Sequence, residues 1–554
     1  MNRDLDARHQ ARAWTLLLLA CAIAWFAVLG ARPLLNPDEG RYAQIPAEML
    51  ASGDYIVPHL NGLVYLEKPP LQYWATALSL AAFGHNEWAA RLVTAGSAVL
   101  ALVFVYLLGQ GLWSAERGLI AAGMTASMLL YVFMGQLMTL DMSLSCWLTI
   151  AIASFCLAQL ERERAPHRTR LWMLACWAAM AAATLTKGLI GIVLPGAVLV
   201  LYTALQRDTA AWRHLHLGKG LALYALLVVP WFVAVERAHP GALDFLIVRE
   251  HFQRYLTKVH DRYQPWWYFL MILTAGALPW LPQVWRALLG GWRASAPRGR
   301  FDGPRVLWVS AAFTLLFFSL SDSKLAPYIL PVLAPLALLG SASGPRALFD
   351  LRLAAALQAL LGLVIAVGLP LYGRRALNAE ASWMLATLLP WLRAIAVLLV
   401  GGATLALLFG RRSLGLARRT LALSGYTVAL ALIAGGATAV AARYSVRPML
   451  ARIGALAPDT TIYTVDTFDW TLPFYARRSV VPVAYRGELD YGLSDAPARG
   501  LTTLAEFEER WRAADSGYAL LPHSIAARLA REGVPMHELG RDFDNVFVSR
   551  RKAK

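Results

Sequence analysis

The chain has 554 residues, of which 58% are hydrophobic and 16% charged, with a formal net charge of +17 at pH 7 and a mean hydropathy of +0.48. Soluble domains average roughly 45–50% apolar and about 25% charged. An ordinary soluble enzyme, a disordered chain and a disulfide-stapled secreted module are therefore excluded, and a polytopic membrane protein remains. The four cysteines, Cys21, Cys146, Cys156 and Cys176, lie in apolar stretches without a CxxC pair, which argues against a zinc–thiolate site or a disulfide framework. The excess of arginine and lysine reads either as inner-loop charge or as phosphate ligands. No soluble basic domain stands out, so nucleic acid is not an expected partner.

A spanning helix needs about 20 mostly apolar residues. In chain order, such stretches occur at 13–32, 90–112, 117–135, 140–159, 171–186, 188–206, 219–237, 266–285, 305–320, 326–341, 351–373, 386–409 and 419–442, about thirteen in all. The first follows a charged leader without a cleavage pattern and reads as an anchor. The segment 70–84 is short, begins after Pro69, and carries Gln72, Tyr73 and Trp74. It reads as an interfacial helix, because Trp and Tyr favour the headgroup level. An odd number of spans then places the Arg-rich loops 160–170, 286–305 and 410–419 inside. It also places loop 33–89 and the C-terminus outside. Beyond residue 442 the pattern changes. Strand-like runs at 461–465, 480–483, 518–521 and 545–548 alternate with helical runs at 504–514 and 524–532. The expected organisation is a membrane domain over 1–442 and a small α/β domain over 443–554.

The informative charges are those at the outer ends of the spans, where a cluster of polar groups suggests a site. The first outer loop opens Asn36-Pro37-Asp38-Glu39-Gly40-Arg41-Tyr42. Asn36 suits an N-cap, Pro37 the first helical position and Glu39 the third, so Glu39 reads as a capping residue. Asp38 and Arg41 share a face. The loop closes with Glu67-Lys68-Pro69-Pro70, where the following proline holds Lys68 on extended backbone. Asp141 falls in the first turn of a span, with Thr139 as its expected cap, and Lys187 is expected to start the span 188–206. In 249–268, His251, Arg254 and Lys258 share a helical face, and Trp266, Trp267 and Tyr268 read as an aromatic belt. Lys324 and Tyr328 are four apart and are expected to face one pocket. Each position has an ordinary alternative: first-turn acids stabilised by the helix dipole, and lysines snorkelling to headgroups. The grouping of two acids, Asp38 and Asp141, with many cations at one face favours a site for a phosphate-bearing lipid.

The order DEGRY, LEKPPLQYW, LMTLDM, TKG, HFQRY followed by PWWY, and SDSKLAPYILP resembles the polyprenyl-phosphate-dependent glycosyltransferases of the GT-C fold. Within them it is most similar to the bacterial lipid A 4-amino-4-deoxy-L-arabinose transferases. The resemblance implies a helical membrane fold of GT-C type. It implies a donor of aminoarabinose on undecaprenyl phosphate, a lipid A phosphate as acceptor, surrounding membrane lipids, and inverting transfer at the periplasmic face of the inner membrane. Carried over by motif, Asp38 and Asp141 are the acidic positions and Lys68 the leaving-phosphate cation. Arg41, Tyr42, Lys187, Arg254, Lys324 and Tyr328 surround phosphates and sugar. Glu67 and His251, with His260 as substitute, are the pair for a divalent zinc or magnesium ion, although no HExxH-like spacing exists and no cofactor is expected to be required. Two other readings remain open. One is a GT-C enzyme with another sugar or acceptor, such as a protein O-mannosyltransferase or a lipid A galactosamine transferase. The other is a lipid transporter or flippase, against which the absence of a visible repeat counts.

Overall fold

The computed structural model describes residues 2–253, 263–342, 344–372 and 378–551. Among them, eight helices are individually long and apolar enough to cross a membrane, or nine if the bent pair Ala115–Ser127 and Leu129–Gln136 counts as one span. That pair meets at 66°. Met128 between them is extended, and the Leu129 amide donates to the Leu278 carbonyl (3.0 Å) instead of continuing the helix. Of the other expected spans, 171–186 lies in one unbroken 22-residue helix, Pro166–Lys187, and the rest fold as helices that are shorter or broken. Ile190–Gln206 contains Pro195, the stretch at 266–285 divides into Tyr268–Gly276 and Leu281–Gly290, and Leu330–Gly340 follows a 3₁₀ turn at Ala326–Ile329. Proline interrupts the backbone hydrogen-bond ladder that a straight span needs. Leu71–Phe83 has 13 residues. At about 1.5 Å per residue it rises only about 20 Å, short of the ~30 Å hydrocarbon core.

The chain divides into two compact units. The first comprises the helix up to Val28, Glu67–Gln72 and Leu92–Gly436. Its core is built around Leu140–Glu161 and Pro166–Lys187, where Cys146, Cys156, Cys176, Trp177 and Tyr202 are buried together. These cysteines act as small apolar side chains, and all four in the chain are free thiols. At one end of this unit the Gln206 amide donates to the carbonyls of Pro297 and Arg300 (both 2.9 Å). Asp302 caps Gly303–Leu320 through the Arg305 amide.

The second unit comprises Leu29–Leu66, Tyr73–Arg91 and Ala437–Lys554. Its sheet has five strands in the order Val481–Val483, Ile462–Val465, Tyr518–Pro522, Asn545–Ser549, His537–Arg541. The first three run parallel and the last two pair antiparallel, with Tyr463 opposite Val481 and Ala519, and Leu520 opposite Phe547. Leu504–Ala513 and His523–Arg531 lay Phe507, Trp511 and Leu529 on the sheet. The four expected strands are present within a residue or two. His537–Arg541 is an additional strand, which spacing does not reveal because HELGR lacks the apolar alternation by which a half-buried strand is read.

The first-loop segments pack within this unit. The Leu34 amide donates to Tyr475 Oη (2.7 Å), whose hydroxyl donates to Glu87 (3.0 Å). Asn61 exchanges two hydrogen bonds of 2.7 Å with the Val480 backbone. The hairpin His59–Leu60/Leu63–Val64 turns at Asn61-Gly62, both at positive φ (58° and 71°), as an Asn-Gly hairpin turn requires. Glu48 closes the turn by accepting from the Asn61 and Gly62 amides (2.6 and 2.8 Å).

Gly40 lies against the loop at Trp470. A Cβ there would sit 2.5 Å from the Trp470 carbonyl carbon and oxygen and 2.7 Å from the Thr471 nitrogen. These are backbone atoms and cannot rotate aside. Gly40→Ala is therefore expected to destabilise this unit by about 1–3 kcal/mol, the usual cost of overpacking. Thermal unfolding of the detergent-solubilised protein checks this; an unchanged Tm contradicts the packing described.

Candidate functional site

The acidic loop belongs to the second unit. Helix Asp38–Ser52 has Pro37 at its N-cap with no side-chain cap bond, and the Asn36 amide instead donates to the Tyr444 carbonyl (2.7 Å). The capping reading of Glu39 is corrected. Although one of its oxygens accepts from the Leu35 amide (3.1 Å), the residue is 2% exposed and its carboxylate lies between two arginines. Arg91 donates to it through Nε and Nη2 (2.8 and 2.9 Å), and Arg32 forms a two-pronged ion pair with it. Arg91 also donates to the carbonyls of Leu29, Arg32 and Pro33 (2.6–2.9 Å). Burial alone would push the Glu39 carboxyl up. The Arg32 and Arg91 guanidiniums overcome that and hold it well below the usual carboxylate range.

Asp38, the preceding residue, faces outward, with 48% of its side chain exposed, and ion-pairs with Arg41 as the spacing predicts. Arg41 is buried. It also meets Glu488 and the Tyr65 hydroxyl (3.2 Å), and its guanidinium lies 4.9 Å from the Tyr42 ring and 5.7 Å from the Trp470 ring. Tyr42 stacks on Tyr73 at 6.2 Å. Sequence spacing singles out neither Arg32 nor Glu488. Arg32 at the end of an apolar run looks like an ordinary interfacial charge, and Glu488 lies hundreds of residues from Arg41.

The first unit holds the second acid. Asp141, in the first turn of Leu140–Glu161, ion-pairs with Lys187, 46 residues away. Lys187 ends Pro166–Lys187 and does not start the next span, which corrects the expectation from sequence. A cation there also complements the helix dipole. Its Nζ lies 4.8 Å from the Tyr328 ring centre, a cation–π contact. Thr139 occupies the N-cap but makes no side-chain cap bond, and its buried Oγ1 has no hydrogen-bond partner among the described residues.

Lys68 is buried, with Nζ donating to the Glu67 carbonyl (2.6 Å). Lys324 lies on non-helical backbone just ahead of the 3₁₀ turn Ala326–Ile329 that carries Tyr328, so helical spacing does not relate the two. Its ammonium donates to the Ser321 carbonyl and lies 5.8 Å from the Tyr263 ring. Burial lowers the pKa of Lys324, and Asp322 partly restores it. Arg254, Lys258, His260 and Arg262 lie outside the described residues, as does the side chain of His251, so the expected metal partner of Glu67 is not among them. Trp266 and Trp267 are exposed, as a belt requires.

The two neighbouring acids should therefore respond differently to substitution. Glu39→Gln leaves two buried guanidiniums without a counter-charge and is expected to cost about 3–5 kcal/mol. Asp38→Asn changes an exposed carboxylate and leaves the buried Arg41 its second partner, Glu488, so it is expected to cost about 1 kcal/mol or less. Because the folded pKa of Glu39 is depressed, its contribution is full above the unfolded value of about 4.3 and is lost as pH falls through the folded value. Tm of the two purified variants decides it; a wild-type Tm for Glu39→Gln contradicts the buried ion network.

Comparison with known proteins extends these local findings to the whole chain. Residues 450–550 match the aminoarabinose transferase C-terminal domain, and residues 67–233 match the dolichyl-phosphate-mannose-protein mannosyltransferase family. The undecaprenyl phosphate-alpha-4-amino-4-deoxy-L-arabinose arabinosyl transferase of Aeromonas salmonicida is 36% identical over 350 residues, which is 61% of this chain and 61% of that relative's length. The crystal structure of ArnT from Cupriavidus metallidurans bound to undecaprenyl phosphate superposes with a TM-score of 0.88 at 31% identity, covering 97% of this chain and 98% of that one. The apo state of the same protein gives 0.85 over 98% of each chain. Sharing both the sequence and the fold along its length, this multi-pass membrane protein of GT-C type belongs to the aminoarabinose transferase (ArnT) family.

Proposed function

We propose that the chain is an inverting glycosyltransferase. It moves 4-amino-4-deoxy-L-arabinose from undecaprenyl phosphate to a phosphate of lipid A, at the periplasmic face of the bacterial inner membrane. The observation that carries this reading is the likeness, over 97% of the chain, to a protein solved with undecaprenyl phosphate bound. The chemistry of the candidate residues agrees. The acceptor phosphate is already an anion at neutral pH, so no strong general base is needed. The demanding steps are forming an oxocarbenium-like centre and releasing a lipid phosphate. Asp38 and Asp141 stabilise the sugar cation or hold its ammonium group. Lys68, Arg41, Lys187, Arg254 and Lys324 stabilise phosphate, with Tyr42 and Tyr328 beside them. Masking lipid A phosphates with a cationic sugar lowers surface negative charge, which weakens binding of polymyxin-like cationic peptides.

Mass spectrometry of lipid A from cells with and without the protein names sugar and acceptor together. An aminoarabinose increment that depends on the protein is expected, whereas another sugar, or none, overturns the reading. Asp38→Asn and Asp141→Asn should each reduce transfer hundreds-fold or about 3–4 kcal/mol, the scale of a lost transition-state electrostatic contact. Near-normal modification by both contradicts their role. Lys68→Ala should behave alike, and Lys68→Arg should recover only part, since guanidinium and ammonium differ in shape.

In this reading Glu67 and His251 hold no obligatory metal, so a chelator leaves most activity; loss that zinc or magnesium restores reverses that assignment. Reporter fusions after Gly84 and after Arg443 should both report periplasm. A cytoplasmic signal at either place breaks the proposed orientation.

A further inference from the structure

A glutamine amide has both donors and an acceptor to satisfy, and burying it in an apolar helix turn is costly unless they find partners. Gln72, in the first turn of Leu71–Phe83, is 2% exposed. Its Oε1 accepts from Ser143 Oγ (2.5 Å), and its Nε2 reaches Thr94 Oγ1 (3.4 Å). Ser143 Oγ lies 3.0 Å from Ser97 Oγ, which also reaches the Val93 carbonyl (2.8 Å). An amide oxygen carries no proton, so Ser143 donates to Gln72, and the single hydroxyl proton of Ser97 is divided between the Val93 carbonyl and Ser143 Oγ. All four side chains are buried, so the chain of bonds runs in a medium where each strengthens the next.

The positions of its ends matter more than its burial. Gln72 follows Lys68 by four residues, across Pro69-Pro70, whose φ angles are fixed. Ser143 follows Asp141 by two residues in the same first helical turn. The Ser143–Gln72 bond thus joins the segment carrying the lysine to the helix carrying the acid. A helix turns roughly 100° per residue, so a one-residue slip would swing Asp141 to another face.

We propose that Gln72, acting through Ser143, is a positioning residue for the transfer: it fixes the Lys68 segment against the Asp141 helix. The proposal rests on the roles given to Lys68 and Asp141 under Proposed function. Gln72 itself need touch neither sugar nor phosphate. Its loss should misalign charges in the transition state more than it weakens donor binding, and so lower kcat rather than raise KM.

The test is steady-state kinetics of the purified full-length protein with undecaprenyl-phosphate-linked aminoarabinose and lipid A, alongside Tm. Gln72→Leu and Ser143→Ala should each lower kcat about tenfold or more, with donor KM within about threefold. The double variant should be no worse than Gln72→Leu, because both remove one bond. Gln72→Glu, which keeps an acceptor for Ser143, should recover part of the rate. If kcat per folded enzyme stays within about twofold of wild type while only Tm falls, the role is structural and the proposal is overturned. Multiplying effects in the double variant overturn it as well. Should Gln72→Leu fail to fold, Ser143→Ala, smaller by one oxygen, removes the same bond and decides the question by the same kcat criterion. A wild-type protein that transfers nothing overturns the functional reading and this proposal with it; a wild type that transfers alongside unaffected variants overturns the positioning role alone.

Discussion

One buried carboxylate organises the loop on which the proposed chemistry depends. Glu39 is almost cut off from water and bonded to both Arg32 and Arg91. Removing three charged groups from water is expensive, and only close, well-aligned partners offset it. Arg91 supplies additional alignment by donating to three carbonyls, those of Leu29, Arg32 and Pro33, just past the end of the first helix at Ala27. Carbonyls beyond a helix end have lost their regular donors, and the guanidinium replaces them. The chain from residue 29 to the start of Asp38–Ser52 is thereby fixed. Adjacent helix residues point roughly 100° apart, so burying Glu39 leaves Asp38 at the edge of the same turn.

Each proposed acid has its own cation. Asp38 is held by Arg41 in one unit, and Asp141 by Lys187 in the other. A bare carboxylate would repel both the donor and acceptor phosphates. A paired one keeps its charge and its orientation while presenting less net repulsion. Such fixed pairs suit a transfer between two phosphates, in which charge redistributes along the bond being broken without passing to a general base. The cation–π contact of Lys187 with Tyr328 adds a second restraint on the same ammonium.

Much of this is legible in the sequence where the signal is local. The apolar runs, the short strand-like runs around Ile462–Val465 and Asn545–Ser549, and the Asp38–Arg41 pair are all local in the sequence. What is not legible depends on distance or on ambiguity. Nothing in the spacing joins Asp141 to Lys187, or Arg41 to Glu488, because those pairs exist only after helices and loops pack. Glu39 misleads because an acid at the third helical position is equally the mark of a capping box and of a buried ion pair; only the arrival of Arg91, 52 residues on, distinguishes them. The four-residue spacing of Lys324 and Tyr328 carries no helical meaning, because Lys324 lies ahead of the short 3₁₀ turn that holds Tyr328.

The central claim is that sugar passes directly between two phosphates, with the acids stabilising charge and never bonding to carbon. A carboxylate that attacked the sugar would form a covalent intermediate and invert the anomeric centre twice. The most direct measurement is therefore the anomeric configuration of the transferred sugar, read by NMR on product made by the purified protein from a donor of known configuration. Single inversion is predicted; retention of the donor's configuration would contradict the account.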